Sequence, residues 1–265
     1  MRYFRIFLLH FQDAFENRGR SFVWLLLAII GPLISLAYWI AVYGSSNHTI
    51  VGWSLPSVTS YYFLLVIAGS FLIAHSEEDV AVRDIQEGQL STYLMRPFSY
   101  FWNHFVGEIS WRLLQGVFSV LVVIVLTRFF GSFFSITSDP LIFILAIISL
   151  LCGFCISFLF KMLLGISAFW FTDFRGIQNI SDIILLVLAG FIMPLEFFPE
   201  SLQIVSKLLP FAYMVYYPLT ILEGKYNFPT AFMYLMLQIL WILVLGFIYN
   251  VLWKRGVAGY TGVGQ

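Results

Sequence analysis

From Phe22 to Tyr43 the chain runs for 22 residues without one charged side chain. A stretch of about 20 apolar residues is what an α-helix needs to cross the hydrocarbon of a bilayer. Comparable runs recur at Val58 to Ala74, Phe105 to Thr127, Pro140 to Phe160, Ile177 to Met193 and Ala231 to Trp253. Only 11% of residues are charged and 60% are hydrophobic, against about 25% charged in soluble domains. A water-soluble fold has nowhere to hide so much apolar surface. The expectation is an all-α polytopic membrane protein with six transmembrane helices, organised as a single membrane domain over residues 1–265. Gly31-Pro32 is expected to kink the first span.

The segments between the spans carry the remaining information. Residues 1–20 place Phe4, Phe7, Leu8, Phe11 and Phe15 three or four apart, with most charges elsewhere around the helix. That pattern predicts an amphipathic helix lying in the membrane interface. Polar residues from Gln12 to Arg20 separate this short apolar run from the first span, which argues against a cleavable signal peptide. Residues 194–229 are apolar, but Pro194, Pro199, Pro210, Pro218 and Pro229 interrupt them. Prolines at this frequency forbid one spanning helix, so two short re-entrant helices are expected. Bare backbone cannot face lipid.

Six spans put both termini on one side of the membrane. With the N-terminus cytoplasmic, ten Lys and Arg residues fall on the inner side: Arg2, Arg5, Arg18, Arg20, Arg83, Arg96, Lys161, Arg175, Lys254 and Arg255. Arg128, Lys207 and Lys225 fall outside, and Arg112 lies near the inner end of the third span. The positive-inside bias therefore makes both termini, the tail 256–265 and the polar interval 76–104 cytoplasmic. Asn47-His48-Thr49 matches a glycosylation sequon on the outer side, and such triplets are common by chance.

The interval 76–104 opens on Glu77, Glu78 and Asp79, mixes signs through Arg83, Asp84 and Glu87, and closes on Arg96-Pro97. Gly88 divides it. The first half has acids in what would be a first helical turn, where they suit the positive end of the helix dipole. In the second half Leu90, Tyr93, Leu94, Pro97 and Phe98 form one apolar stripe at helical spacing. Two readings stay open on spacing alone: a solvated loop on the headgroups, or a short helix presented to a cytoplasmic partner.

Charges inside the spans are few. Glu108 and Arg112 stand one helical turn apart, as an intrahelical ion pair or part of an ion pathway would require. Asp182, beside Asn179 and Ser181, opens the fifth helix, where helix capping or subunit contact competes with a proton relay. Lys161 is placed where a snorkelling lysine would meet the headgroups. Residues 162–173 remain apolar, so the fourth helix either runs on past the bilayer or bends along its surface.

Catalytic chemistry is missing. No phosphate-binding Gly-x-x-x-x-Gly-Lys-Ser/Thr loop occurs, which excludes ATP hydrolysis by that mechanism. His10, His48, His75 and His104 are scattered without metal-ligand spacing. Cys152 and Cys155 form a Cys-x-x-Cys pair inside a span, where two small buried hydrophobes compete with a redox or metal role. A net charge of zero points to no nucleic-acid partner.

Four stretches resemble a known family. Asp84-Ile-Gln-Glu-Gly-Gln-Leu90 with Tyr93-Leu-Met-Arg-Pro97 is similar to its Gly-x-Leu…Leu-x-Arg-Pro cytoplasmic loop. Leu164-Gly-Ile-Ser-Ala-Phe-Trp170 is similar to the end of its fourth helix. Gly190-Phe-Ile-Met-Pro194, Phe198-Pro199 and Leu209-Pro-Phe211 resemble its outer re-entrant region. Trp253-Lys-Arg-Gly-Val257, with Tyr260 and Gly262 to Gly264, resembles its basic, glycine-bearing C-terminus. The family is that of the ABC-2-type ABC transporter permeases, in particular the six-helix DUF990 group, and the likeness covers nearly the whole length.

The resemblance implies a type V exporter-like permease of the bacterial cytoplasmic (inner) membrane that exports an amphipathic or hydrophobic substrate. It implies a core of two permeases, in a homodimer or heterodimer, and two separate ABC ATPase subunits that hold ATP and magnesium. This chain would bind no cofactor and have no catalytic or metal residues. The interfacial helix and residues 77–96 would contact the ATPases, with Glu77, Glu78, Asp79, Arg83, Asp84, Glu87, Gly88, Leu90, Leu94 and Arg96 as coupling residues. Gly190, Pro194, Phe198, Pro199, Pro210 and Phe211 would belong to an outer gate. The competing class is a secondary carrier or channel that needs no ATPase; the scarcity of deep acids argues against its proton-coupled form.

Overall fold

The structure is a computed structural model that describes residues 2–16, 18–44, 49–130 and 134–261. Asn47 and His48 of the sequon, and Gly262 to Gly264 of the tail, lie outside them. Among the described residues it is all-helical, with no strand beyond the single bridge Ile50–Trp53.

Helix α1 (Arg2–Glu16) is amphipathic. Phe4, Leu8 and Phe15 are exposed, while its other side lies on α5 (Tyr100–Phe130). Ser110 donates to the Phe7 carbonyl at 3.2 Å, and the His10 ring sits so close to Gly107 that a Cβ there would come within 3.3 Å of it. Helix α2 (Arg18–Tyr43) stays helical through Gly31-Pro32 and packs on α3 (Leu55–Phe71).

The helix starts follow from local chemistry. Ser54, Asp139, Asp173 and Asn227 each accept a backbone N–H from the first turn of α3, α6 (Pro140–Ile166), α7 (Phe174–Leu188) and α11 (Phe228–Gly259). In three of these a proline stands in the first turn, where its missing N–H removes no helical bond. Among the described residues three helices are long and apolar enough to cross a membrane: Tyr100–Arg128, Pro140–Phe169 and Phe228–Gly259. Leu33–Tyr43 and Leu55–Phe71 are shorter apolar stretches. At 1.5 Å per residue α3 is roughly 26 Å long and α7 roughly 23 Å, each short of the ~30 Å hydrocarbon core.

Helices α6 and α11 pack along each other. Gln238 of α11 is fully buried and satisfied: it accepts from Ser149 at 2.8 Å and donates to the carbonyls of Ser149 and Tyr213. One side chain thus joins α6, α11 and α9 (Phe211–Met214). Gly153 lets α6 approach that segment closely, since a Cβ there would lie 2.5 Å from the Met214 carbonyl oxygen.

Two sequence expectations need correction, and one that was left open is decided. The fourth helix, left open between running on and bending, runs on past Lys161. It continues to Ile166, and a 3-10 turn (Ser167–Phe169) follows directly. Lys161 does not snorkel to an aqueous boundary: its side chain is 3% exposed and carries two ionic partners. Asp182 does not cap the fifth helix, because that helix begins at Phe174 and Asp173 accepts from Gly176 N at its start.

The segment 189–227 packs back against α3, α6 and α7, with Phe211 against Phe160 and the Leu222 carbonyl accepting from Thr137 N just before α6. It contains a 3-10 turn (Leu195–Phe197), α8 (Glu200–Leu208), α9 and α10 (Tyr216–Leu222). All residues from Phe211 to Leu222 are buried.

Candidate functional site

The polar interval is docked on the bundle rather than hanging from it. After α3, its first half forms a π-helical turn (Asp79–Gln86). Gly88 then takes φ +85°, a left-handed conformation that glycine adopts without steric cost. The short α4 (Leu90–Leu94) follows. Val80, Ala81, Asp84 and Ile85 face inward, and Val80 lies against Gly165 of α6, where a Cβ would sit 2.7 Å from it.

Two buried polar clusters hold the loop. In the first, Asp84 accepts from the Tyr100 hydroxyl at 2.7 Å, His104 Nε2 at 2.9 Å and Arg83 Nε at 3.3 Å. Burial alone would raise the Asp84 carboxyl, but the bonds from His104 and Tyr100 and the Arg83 charge outweigh it and hold the group below its ordinary value. Tyr100 is itself stacked on Trp253 of α11 at 4.6 Å. In the second cluster, Lys161 Nζ lies 2.7 Å from Glu77 Oε1 and 2.8 Å from Asp182 Oδ1. One ammonium therefore ties the loop to α6 and α7. Burial pushes the Glu77 carboxyl up despite that ammonium.

Glu108 and Arg112 do pair, at 2.8 Å, and both are buried. They also dress the end of α3: Glu108 accepts from His75 N at 2.9 Å, and Arg112 donates to the Ser70 carbonyl at 3.3 Å and to Gln115 at 2.6 Å. Ser157 accepts from Ala74 N. The ion pair thus serves backbone that leaves helical bonding, which an isolated i,i+4 spacing does not reveal.

Between the loop and α1, α3, α5 and α7 lies a cavity of about 730 Å³. Its carboxylates are Asp13, Glu77, Glu78, Asp79, Glu108 and Asp182, facing Arg83, Arg112 and Lys161 among the described residues. Farther in, Ile73, Trp111, Leu185, Leu186 and Phe191 make the wall apolar. Burial, reinforced by His104, holds the His10 imidazole below its ordinary value.

The ten loop residues singled out in the sequence divide into two sets. Glu78, Asp79, Glu87, Leu94 and Arg96 are exposed, with Leu94 at 46% and the neighbouring Met95 at 81%. Glu77, Asp84 and Leu90 are buried, Arg83 is half-buried and Gly88 makes the turn. Lys161, Tyr100 and His104 carry the docking and were not foreseen. Lys161 is 84 residues from Glu77, and no periodicity links them. Among the described residues no group of His, Cys, Asp and Glu is arranged to hold a metal.

Just past α7, Gly190 takes φ +84°, and the hydroxyls of Tyr61 and Tyr62 donate to the Gly190 and Ile192 carbonyls at 2.7 Å each. Pro194 and Pro199 precede helical turns, Phe198 leads into α8, Pro210 begins α9, and Phe211 packs edge-on against Phe160 at 5.1 Å. Unforeseen here are Glu196, bonded by the Tyr216 hydroxyl, and the Glu223–Lys225 pair with Lys225 over the Trp53 ring. Burial raises Glu223 to about 7 and lowers Lys225 to about 7.

No curated protein and no solved structure shows significant similarity to the chain. The family described as ABC-2 family transporter protein (ABC2_membrane_6) matches residues 29–264. That stretch takes in the docked loop, both charge clusters and the proline-broken segment 194–229, and with α5, α6 and α11 long enough to cross a bilayer, it is an integral membrane chain. The protein belongs to the ABC-2 family of transporter proteins.

Proposed function

We propose that the chain is the membrane-spanning permease subunit of an ATP-driven exporter, with the polar loop as its contact to a separate ATPase. The observation that carries this reading is the two-sided loop. Its inner face is fixed by Asp84 and by the Glu77–Lys161–Asp182 triad, while Glu87, Leu94 and Arg96 stand exposed and Glu78 and Asp79 are exposed at the cavity rim. A surface braced by buried polar contacts passes force rather than yielding to it. Glu77, Asp84 and Leu90 brace, and the exposed five touch.

The family implies an ABC ATPase partner. Two such subunits, binding ATP and magnesium, and a second permease would complete the transporter. The loop end and both termini would face the cytoplasm of a bacterial inner membrane, in keeping with the ten-to-three excess of Lys and Arg there. Six spans would result if α2, α3 and α7 join the three long helices in crossing. Residues 189–222 would gate release.

The test is ATP hydrolysis by the assembled complex in lipid. Glu78→Ala and Leu94→Ala should each lower transport-coupled hydrolysis severalfold while the permease stays monodisperse and folded. Coupled activity that survives replacement of all five exposed residues would refute the assignment. Transport by the purified chain alone would favour the carrier.

A further inference from the structure

The charge clusters around the cavity are unevenly balanced. Six carboxylates line it against three Lys or Arg side chains among the described residues, and Arg83 is shared with Asp84. The imbalance is sharpest where Lys161 serves two carboxylates at once, Glu77 and Asp182. Glu77 is 2% exposed, yet its Oε2 has no hydrogen-bond partner. Asp182, with its side chain 52% exposed, turns its carboxylate towards the cavity. A buried carboxylate oxygen without a donor costs free energy that an arriving cation recovers. Beyond the acids, Trp111 and Phe191 add aromatic rings and Leu186 an apolar side chain to the lining, which suits an organic cation rather than a hydrated metal ion.

Resting on the permease reading above, we propose that this cavity is the cargo entry site and takes a monovalent lipophilic organic cation. Its charge seats against Glu77 and Asp182, and its apolar body lies against Leu186 and Phe191. With the ligand bound, two carboxylates meet two cations, and the local charge closes. The cargo also lies against the triad that holds the loop, so its arrival is felt at the proposed ATPase contact.

The test is equilibrium binding of tetraphenylphosphonium to the full chain in phosphatidylcholine nanodiscs, with empty discs subtracted. Tetraphenylborate, of the same shape and opposite charge, is run alongside. The expected result is saturable binding of the cation, no anion binding above empty discs, and at least tenfold weaker cation binding by Asp182→Asn. Equal binding of the two ions, no cation binding beyond empty discs, or undiminished binding by a folded Asp182→Asn protein each overturns the proposal. The wild-type comparison needs no substitution, so it stands even if the variant fails to fold. Because no ATPase is present, absent binding beside intact ATPase coupling refutes the cargo class alone, and intact binding beside absent coupling refutes the permease reading alone.

Discussion

Replacing Lys161 by Met tests the triad that joins the loop to α6 and α7. The substitution keeps a long apolar stem and removes the ammonium that lies 2.7 Å from Glu77 and 2.8 Å from Asp182. Asp182 is half exposed and can be rehydrated, whereas Glu77 is 2% exposed and cannot. Breaking a buried pair from one side typically costs 3–5 kcal/mol. Here the cost has a ceiling, because Glu77 can escape its charge by taking up a proton. From an ordinary glutamate value of about 4.3, protonation costs about 3.7 kcal/mol at pH 7 and about 1.6 kcal/mol at pH 5.5. The sign follows from linkage: the variant's folded state binds a proton that the unfolded state lacks, so its deficit grows as pH rises above about 4.3. At about 2–4 °C per kcal/mol, the unfolding midpoint should fall by roughly 7–15 °C at pH 7 and roughly 3–6 °C at pH 5.5. Adding Glu77→Gln removes the stranded charge and should restore most of the loss. Thermal unfolding of wild type, both single variants and the double variant at the two pH values gives the full cycle. A penalty independent of pH, or a double variant no better than Lys161→Met, would refute the reasoning.

Other outcomes follow from the same geometry. Gly153→Ala drives a methyl to within 2.5 Å of the Met214 carbonyl oxygen and should destabilise by about 1–3 kcal/mol, read as a lower unfolding midpoint with secondary structure retained. Asp84 is held below its ordinary value, so its contribution is present at neutral pH and lost only as pH falls below about 3.9. Near-ultraviolet circular dichroism, sensitive to the Tyr100–Trp253 stack, should therefore hold steady from pH 8 to 5. Asp84→Asn should lower coupled ATP hydrolysis at least tenfold. Glu223 is raised to about 7 by burial, so its charging opposes folding increasingly as pH climbs from about 4.3 towards 7. Glu223→Gln should gain on wild type at pH 8 and show little difference at pH 4.5 in unfolding midpoint.

Much of the architecture was legible because its signals are local. The α1 stripe of Phe4, Phe7, Leu8, Phe11 and Phe15, the apolar runs that became α5, α6 and α11, and the break at Gly88 each depend on residues within a few positions. The prolines of 194–229 likewise announced short helices. The candidate site was only half legible. Acids 77–79 and 84 stood out, yet their spacing could not tell that Glu77 and Asp84 are buried while Glu78 and Asp79 stay exposed at the cavity rim. That division depends on which side of a π-helical turn meets α6, and the wider π turn shifts each side chain from its α-helical position.

Lys161 marks the boundary between what sequence alone determined and what tertiary structure decided. A lysine at the end of an apolar run looks the same whether it reaches for headgroups or for a buried carboxylate. Sequence alone determined that the chain enters a membrane and that it is helical, because apolar burial sums over neighbouring residues. Tertiary structure alone decided that Lys161 meets Glu77 and Asp182 and that Tyr100 and His104 meet Asp84. A buried charge is tolerable only when a partner lies within about 3 Å, and the packing of α6 on α7 and on the loop supplies that partner from 84 residues away in the chain.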